Sequence, residues 1–250
     1  MKRGLALLAA VGALLTGCGG GSGSTPLVVS AAASMTEALN ACAPEFEKAE
    51  HASVKQSFAG SDVLAAQIRQ GARLDVYAAA NTKLPDQLHA DGLIGTPVRF
   101  ATNQLVLAVP KGSTIRTIDD VARPGTKLVI GSATVPIGSY THQTLAKLPP
   151  AREKAILANV RSDEPDVKGI VGKLTQRAAD AGFVYVTDVR AANGRLTAIR
   201  LPARLEPQVT YGAAVVTKAK HPALARRYVD GLEKGDCASA LRSAGFGAAP

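Results

Sequence analysis

Short apolar strands alternate with amphipathic helices early in this chain, and no other feature limits its possible folds as strongly. The pattern predicts strands at 27–30, 54–58 and 74–79, with helices at 35–50 and 62–70 between them. Such alternation is typical of a parallel sheet whose strands are joined by helical crossovers. Ligands of these sheets bind at the carboxyl ends of the strands, beside the helix N-termini.

Two serines fall at those helix N-termini. Ser34 precedes the first helix and Glu37 follows three residues later, which predicts a capping box. Ser61 precedes the second helix and is predicted as its N-cap. A serine before a helix is usually only a cap, so each is taken singly as a cap and jointly as a candidate ligand contact.

The second half of the chain repeats the α/β style. It predicts strands at 104–109, 127–130, 160–163, 182–186 and 209–216, and helices at 140–148, 151–159, 166–179 and 222–234, with a loop at 131–139. A short helix is expected within 111–124. We therefore predict an α/β fold of two lobes with a ligand cleft between them, lobe I being 27–104 and 211–250, and lobe II being 105–210.

The amino terminus has the pattern of an export signal. Lys2 and Arg3 precede an apolar run at 4–15, which is shorter than the roughly 20 residues that a spanning helix needs. Small residues before Cys18 resemble a bacterial lipobox, so we predict a lipoprotein signal at 1–17 and lipidation of Cys18. The Gly/Ser tract that follows predicts a lipid-anchored flexible tether at 18–26. The alternative is an ordinary signal in which Cys18 is incidental.

Composition argues against nucleic-acid binding. The formal charge is +9, and removal of Lys2 and Arg3 leaves 27 basic against 20 acidic side chains, a net charge of +7. No Trp is present, and basic residues are not interleaved with aromatic ones. A mild positive field helps an anionic ligand to arrive.

Two cysteines remain after Cys18. In an oxidising compartment Cys42 and Cys237 could form a disulfide or stay as buried thiols, and the disulfide is slightly favoured. The four histidines lie far apart without metal-ligand spacing, so no metal cation site is predicted and they are read as surface or packing residues.

Seven motifs in order resemble those of bacterial molybdate-binding proteins, the substrate-binding components of molybdate ABC importers. The likeness spans about 27–246, and the motifs are AAASMT at 31–36, SFAGS at 57–61, QI with GA and DV at 67–76, NQLV at 103–106, VPIGSY at 135–140, DVK at 166–168 and FVYVTD at 183–188.

This resemblance implies a periplasmic-binding-protein-like fold and a site for a tetrahedral oxyanion, molybdate or tungstate. The implied contacts are hydroxyl and backbone N–H groups of Ser34 and Ser61, backbone N–H groups of Ile137 and Val167, and the hydroxyl of Tyr185. It also implies an exported monomer that is no enzyme, needs no cofactor, and has an ABC permease and its ATPase as partners.

Two positions depart from the pattern that the resemblance implies. Gly60 stands where we expect serine in many relatives, which removes one donor and is expected to loosen the turn. Asp62 follows Ser61, and a carboxylate facing a dianion would repel it or favour a protonated anion such as hydrogen phosphate. We expect Asp62 to point to water in the first helical turn, where negative charge is stabilised.

Three other functions remain open. The first is a receptor of the same architecture for sulfate, phosphate or a small organic anion. The second is a secreted hydrolase, against which stands the absence of G-x-S-x-G and HExxH motifs. The third is an adhesive or structural lipoprotein.

Overall fold

The computed structural model describes residues 26–250. The predicted signal at 1–17, the lipidation site Cys18 and nearly all of the tether at 18–26 lie outside the described residues.

Ten strands and nine α-helices make up the described part of the chain. The strands are β1 Leu27–Ala32, β2 Val54–Ala59, β3 Val76–Ala79, β4 Val98–Asn103, β5 Leu105–Pro110, β6 Leu128–Gly131, β7 Val160–Glu164, β8 Ala181–Tyr185, β9 Leu196–Arg200 and β10 Val209–Val215. The helices are α1 Thr36–Glu50, α2 Ser61–Arg69, α3 Lys83–Ala90, α4 Pro136–Leu145, α5 Pro150–Leu157, α6 Val167–Thr175, α7 Val186–Ala191, α8 Pro222–Lys234 and α9 Asp236–Ala244. The predicted α/β class is confirmed.

The strands form two five-stranded sheets of the same design. The first has the order β2-β1-β3-β10-β4 and the second the order β7-β6-β8-β5-β9. In each, four strands run in one direction and one runs the opposite way, because β10 is antiparallel to both β3 and β4, and β5 to both β8 and β9. The parallel strands put the N-termini of their crossover helices at one edge of each sheet.

The chain crosses between the sheets twice, at neighbouring places. Only Gln104 separates β4 of the first sheet from β5 of the second. The return lies between β9 and β10, and Val209 at the start of β10 pairs with Asn103 at the end of β4. Two short crossovers side by side are the arrangement about which two lobes can rotate.

One predicted boundary is wrong. The helix expected at 140–148 begins at Pro136, inside the segment predicted as a loop. Proline suits the first helical position, where its missing N–H has no intrahelical partner. Gly138 then packs so closely that an added Cβ would overlap the backbone carbonyls of Gly131 and Ser132.

Several short elements are not predicted by the sequence pattern. They are α3, β4, α7, β9 and α9, and the helix expected within 111–124 is only a 3₁₀ turn at Asp120–Ala122. Segments of five to nine residues at a surface carry too few apolar positions for either periodicity to stand out.

A disulfide ties the carboxyl-terminal part of the chain to the first helix. Cys42 on α1 and Cys237 on α9 are bonded, with their Cα atoms 4.8 Å apart and a sequence separation of 195. Close by, Phe46 of α1 meets Tyr228 of α8 edge to face, with ring centroids 4.9 Å apart. These contacts fasten α8 and α9 to the first lobe.

We expect the double substitution Cys42→Ala with Cys237→Ala to lower the free energy of unfolding by about 2–4 kcal/mol, because the unfolded chain loses a long covalent loop. Urea unfolding of the variant and of wild type, each with and without reductant, measures the effect. Reductant should destabilise only the wild type. Equal stability of the two proteins under oxidising conditions would contradict the disulfide.

Candidate functional site

A small cavity between the two sheets brings together all five predicted contact residues. Its wall includes Ser34, Ser61, Ile137, Val167 and Tyr185. The first two come from the first lobe and the other three from the second. The remaining lining is Ala32, Ala33, Ala59, Gly60, Ala80, Val135, Pro136 and Asp166.

Three α-helices direct their first N–H groups at this cavity. Ser61 is the first residue of α2, Val167 the first of α6, and Ile137 the second of α4. The first N–H groups of a helix have no intrahelical acceptor and carry partial positive charge. Because Pro136 has no N–H, the amide of Ile137 is the first donor that α4 can offer.

Asp166 caps the N-terminus of α6 and so determines which of its first backbone amides remain without a partner. Its carboxylate caps the helix by accepting from the backbone N–H groups of Lys168 at 2.8 Å and Gly169 at 3.1 Å. The amide of Val167, ahead of both, is not capped by this carboxylate, and Val167 lines the cavity.

Neither serine is the cap that the sequence predicts. A 3₁₀ turn at Ala33–Met35 precedes α1, and Ser34 Oγ instead lies 2.9 Å from the Tyr211 hydroxyl, so the predicted capping box is wrong. Gly60 occupies the N-cap position of α2, one residue before Ser61. Ser61 Oγ accepts from the Ala80 N–H at 3.1 Å, which leaves its own proton unused.

Tyr185 presents a buried phenol to the cavity. Its side chain is 1% exposed, and within the described part of the chain no group hydrogen-bonds to its hydroxyl. Burial, followed by the nearby Tyr211, Tyr140 and Asp188, raises the pKa of Tyr185 well above its ordinary value, so the phenol keeps its proton. A buried hydroxyl without a partner is costly, and a ligand acceptor would satisfy it.

Asp188 holds the backbone at Tyr185 in place. Its carboxylate, which is 1% exposed, accepts from the Tyr185 N–H at 3.1 Å. Burial raises the pKa of Asp188 from 3.8 to about 6, although the charge of Lys168 and the amide of Tyr185 both lower it. The Lys168 ammonium lies 3.3 Å from Asp188 Oδ1, at ion-pair distance but without hydrogen-bond alignment.

Lys168 also spans the two lobes. Its ammonium donates to both carboxylate oxygens of Glu37 on α1, at 2.7 and 2.8 Å. Glu37 is thus an interlobe partner instead of the capping-box residue predicted for it. The Lys168 side chain is 29% exposed and that of Glu37 51%, so this ion pair lies at the rim of the cleft.

Gly60 lies where the two lobes approach each other closely. Its φ of −58° and ψ of 134° are open to any residue. Space is the constraint, because a Cβ here would overlap the Pro165 carbonyl oxygen and lie 3.2 Å from Val135 Cγ1. Both of those atoms belong to the second lobe.

The expectation that Asp62 points to water is also wrong for one of its oxygens. Oδ1 is buried without a hydrogen-bond partner among the described residues, and it lies 2.9 Å from the position of a Cβ on Gly60. Asp62 is nevertheless absent from the residues that line the cavity.

The size and chemistry of the cavity restrict what it can hold. The space open to the centre of a water molecule is about 20 Å³, little more than the roughly 10–15 Å³ that admits one water and far below the several hundred that organic ligands fill. Within residues 26–250, its lining contains no Lys or Arg. The site therefore suits a compact anion held by neutral donors.

Within residues 26–250, no group of three or more His, Cys, Asp or Glu side chains is arranged to hold a metal ion. Over the same residues, no helix is long and apolar enough to cross a membrane.

Four residues that shape the site are not predicted from the sequence: Asn103, Lys168, Asp188 and Tyr211. Lys168, Asp188 and Asn103 stand inside the motifs, but their partners are far away in sequence. Tyr211 has no local signal at all beyond lying in a late apolar strand.

Comparisons with known proteins agree with this architecture. Residues 27–247 match the family model described as bacterial extracellular solute-binding protein. The molybdate-binding protein ModA of Mycobacterium tuberculosis is 35% identical over 211 residues, which cover 83% of this chain and 78% of the relative.

Two solved structures share the fold. The periplasmic molybdate-binding protein of Azotobacter vinelandii superposes with a TM-score of 0.78 at 21% identity, covering 88% of this chain and 98% of that one. The sulfate-binding protein SubI of Mycobacterium tuberculosis gives 0.76 at 17% identity, covering 89% of this chain and 86% of that one. The predicted two-lobed fold is confirmed.

We expect Gly60→Ala to weaken ligand binding at least about tenfold, because the new methyl keeps the lobes apart and lengthens every donor distance across the cleft. Titration calorimetry measures the affinity. Gly172→Ala in α6 is the matched control, since a Cβ there meets no atom within 4 Å. Wild-type affinity in Gly60→Ala would show that binding does not need this close approach.

Proposed function

The chain belongs to the family of bacterial extracellular solute-binding proteins, and from that premise we propose that it captures molybdate outside the cytoplasm and delivers it to an ABC importer. The observation that carries the proposal is the convergence of hydrogen-bond donors from both lobes on one small cavity whose described lining holds no cation. The molybdate-binding relative from Mycobacterium tuberculosis supports the choice of ligand.

The donor set matches the chemistry of molybdate. This tetrahedral dianion carries no proton, so each of its oxygens accepts hydrogen bonds and none donates. The amides of Ile137 and Val167, the hydroxyls of Ser34 and Ser61 and the phenol of Tyr185 all have a proton to offer. Hydrogen bonds to a charged acceptor in a water-excluded site are the strong kind.

Selectivity follows from fixed donor positions. Tungstate has nearly the size and shape of molybdate and should bind much alike. Sulfate is smaller, so donors anchored on two lobes would stand at longer distances from its oxygens. Hydrogen phosphate needs an acceptor for its proton. The carboxylate of Asp62 lies outside the lining, and that of Asp166, within it, already accepts from the Lys168 and Gly169 amides.

Capture proceeds by hinge closure about the two crossovers. The anion meets the donors of one lobe first, and rotation brings up the donors of the other. The ion pair between Lys168 and Glu37 and the contact between Gly60 and Pro165 both form across the cleft, so they favour the closed form. Neither Lys168 nor Glu37 lines the cavity, which leaves recognition to the neutral donors.

The remaining features of the proposal concern place and partners. Cys18 carries the lipid, and the tether at 18–26 keeps the receptor near an ABC permease and its ATPase. We propose a monomer without cofactor or catalytic activity, as the resemblance to molybdate-binding proteins implies.

Titration calorimetry with molybdate, tungstate, sulfate and phosphate tests the function. We expect saturable heat at micromolar protein with the first two and at least about a hundredfold weaker binding of the others, equivalent to about 2.7 kcal/mol. Tighter binding of sulfate or phosphate would favour the receptor for another oxyanion. No heat with any anion would favour the hydrolase or the adhesive lipoprotein.

We expect Tyr185→Phe to weaken molybdate binding by about 1–2 kcal/mol, the contribution of one hydrogen bond to a charged group. Stability of the ligand-free protein should not fall, because this hydroxyl has no partner among the described residues. Tyr228→Phe is the control, since its hydroxyl accepts from Gln56 in the first lobe and lies away from the cavity. Unchanged affinity in Tyr185→Phe would remove Tyr185 from the site.

A further inference from the structure

The direction of the hydrogen bond between Ser34 and Tyr211 decides whether Ser34 can donate to an anion. Ser34 Oγ and Tyr211 Oη are 2.9 Å apart, and by distance alone either oxygen could be the donor. If Ser34 donates to Tyr211, only lone pairs of Ser34 face the ligand, and two acceptors repel. If Tyr211 donates, the proton of Ser34 is available for the ligand.

Asn103 settles the direction. Its Oδ1 accepts from the backbone N–H of Gln104 at 2.9 Å, which fixes the orientation of the side-chain amide. Both hydrogens of Nδ2 then point the other way, toward Thr187 Oγ1 at 2.9 Å and Tyr211 Oη at 3.3 Å.

Tyr211 Oη therefore accepts a hydrogen bond from Asn103 Nδ2, and its own proton needs another acceptor. The ring is 0% exposed, and burial raises the pKa of Tyr211 well above its ordinary value, so the phenol stays protonated. Ser34 Oγ is the acceptor within reach. Were Ser34 the donor instead, a fully buried phenolic proton would have no acceptor, which is unfavourable.

We infer that Asn103 and Tyr211 are positioning residues that turn Ser34 into a hydrogen-bond donor toward the ligand, and that they thereby select fully deprotonated oxyanions. The ordered series runs from the Gln104 amide through Asn103, Tyr211 and Ser34 to the cavity. This inference rests on the proposed capture of an oxyanion.

Ser61 obeys the same rule by a different route. Its Oγ accepts from the Ala80 amide at 3.1 Å, and a backbone N–H can only donate. Its proton is thus also free for the cavity. Both serines accept a hydrogen bond from the protein, so each keeps its own proton to donate to an anion that carries none.

Selenate and hydrogen arsenate are the probes that isolate this effect. At mildly alkaline pH both are tetrahedral dianions of similar size, and they differ by one proton. Their ratio of dissociation constants therefore reports donor and acceptor matching, while changes in overall charge or fold affect both anions alike. Calorimetric competition against molybdate measures both constants in each variant.

Asn103→Asp is the decisive variant. A carboxylate can still accept from Gln104 but has no proton to give, so Tyr211 would donate to it and Ser34 would donate to Tyr211. We expect wild type to prefer selenate, and the variant to lose at least about tenfold of that preference. The added negative charge would weaken the binding of both anions alike and leave the ratio of their dissociation constants unchanged.

Two further variants keep the inference open to failure. Tyr211→Phe removes the hydroxyl that donates to Ser34, so it should reduce the preference for selenate over hydrogen arsenate. This variant provides the test if Asn103→Asp does not fold. Thr187→Val is the matched control, because it removes the other acceptor of Asn103 and should leave the ratio at its wild-type value.

The outcomes separate the inference from the function. Molybdate binding with an unchanged selenate-to-arsenate ratio in both Asn103→Asp and Tyr211→Phe overturns the role of the two residues and leaves the function standing. A ratio that falls equally in Thr187→Val also overturns it, because the effect would then be structural. Wild type that binds no oxyanion overturns the proposed function itself.

Discussion

The site depends on backbone N–H groups that helix geometry leaves without partners. An α-helix cannot satisfy its first amides internally, and here α2, α4 and α6 begin at one cavity. The parallel strands make this possible, since each crossover helix starts at the carboxyl edge of its sheet. Facing two such edges toward each other concentrates donors in a space of about 20 Å³.

Neutral donors and the nearby Lys168 ammonium have separate tasks. Lys168 follows Val167 directly, yet its ammonium turns away to Glu37 and Asp188. A flexible ammonium in the cavity would attract many anions with little regard for shape. Bound to Glu37 at the rim, the same charge favours closure, while fixed amides and hydroxyls set the distances that a ligand must match.

The sequence allowed the two lobes and the five cavity residues to be predicted, for different reasons. The lobes follow from alternation of strand and helix, a local property. The pattern also places Ser34 and Ser61 at helix N-termini. Ile137, Val167 and Tyr185 came from the resemblance alone, because nothing in their own neighbourhood distinguishes a ligand contact from a cap or a core residue. Asn103 and Tyr211 are 108 residues apart, and their bond exists only after β10 returns beside β4.

At Gly60 the close approach of the two lobes takes the place of a possible hydroxyl donor. A serine there would add a hydroxyl, but its Cβ would collide with the Pro165 carbonyl of the opposite lobe. The backbone angles do not require glycine, so the lack of a side chain serves the approach of the lobes. Every donor of the second lobe depends on that approach, because hydrogen bonds weaken steeply with distance. Closeness of the lobes therefore matters more to the ligand than one additional hydroxyl.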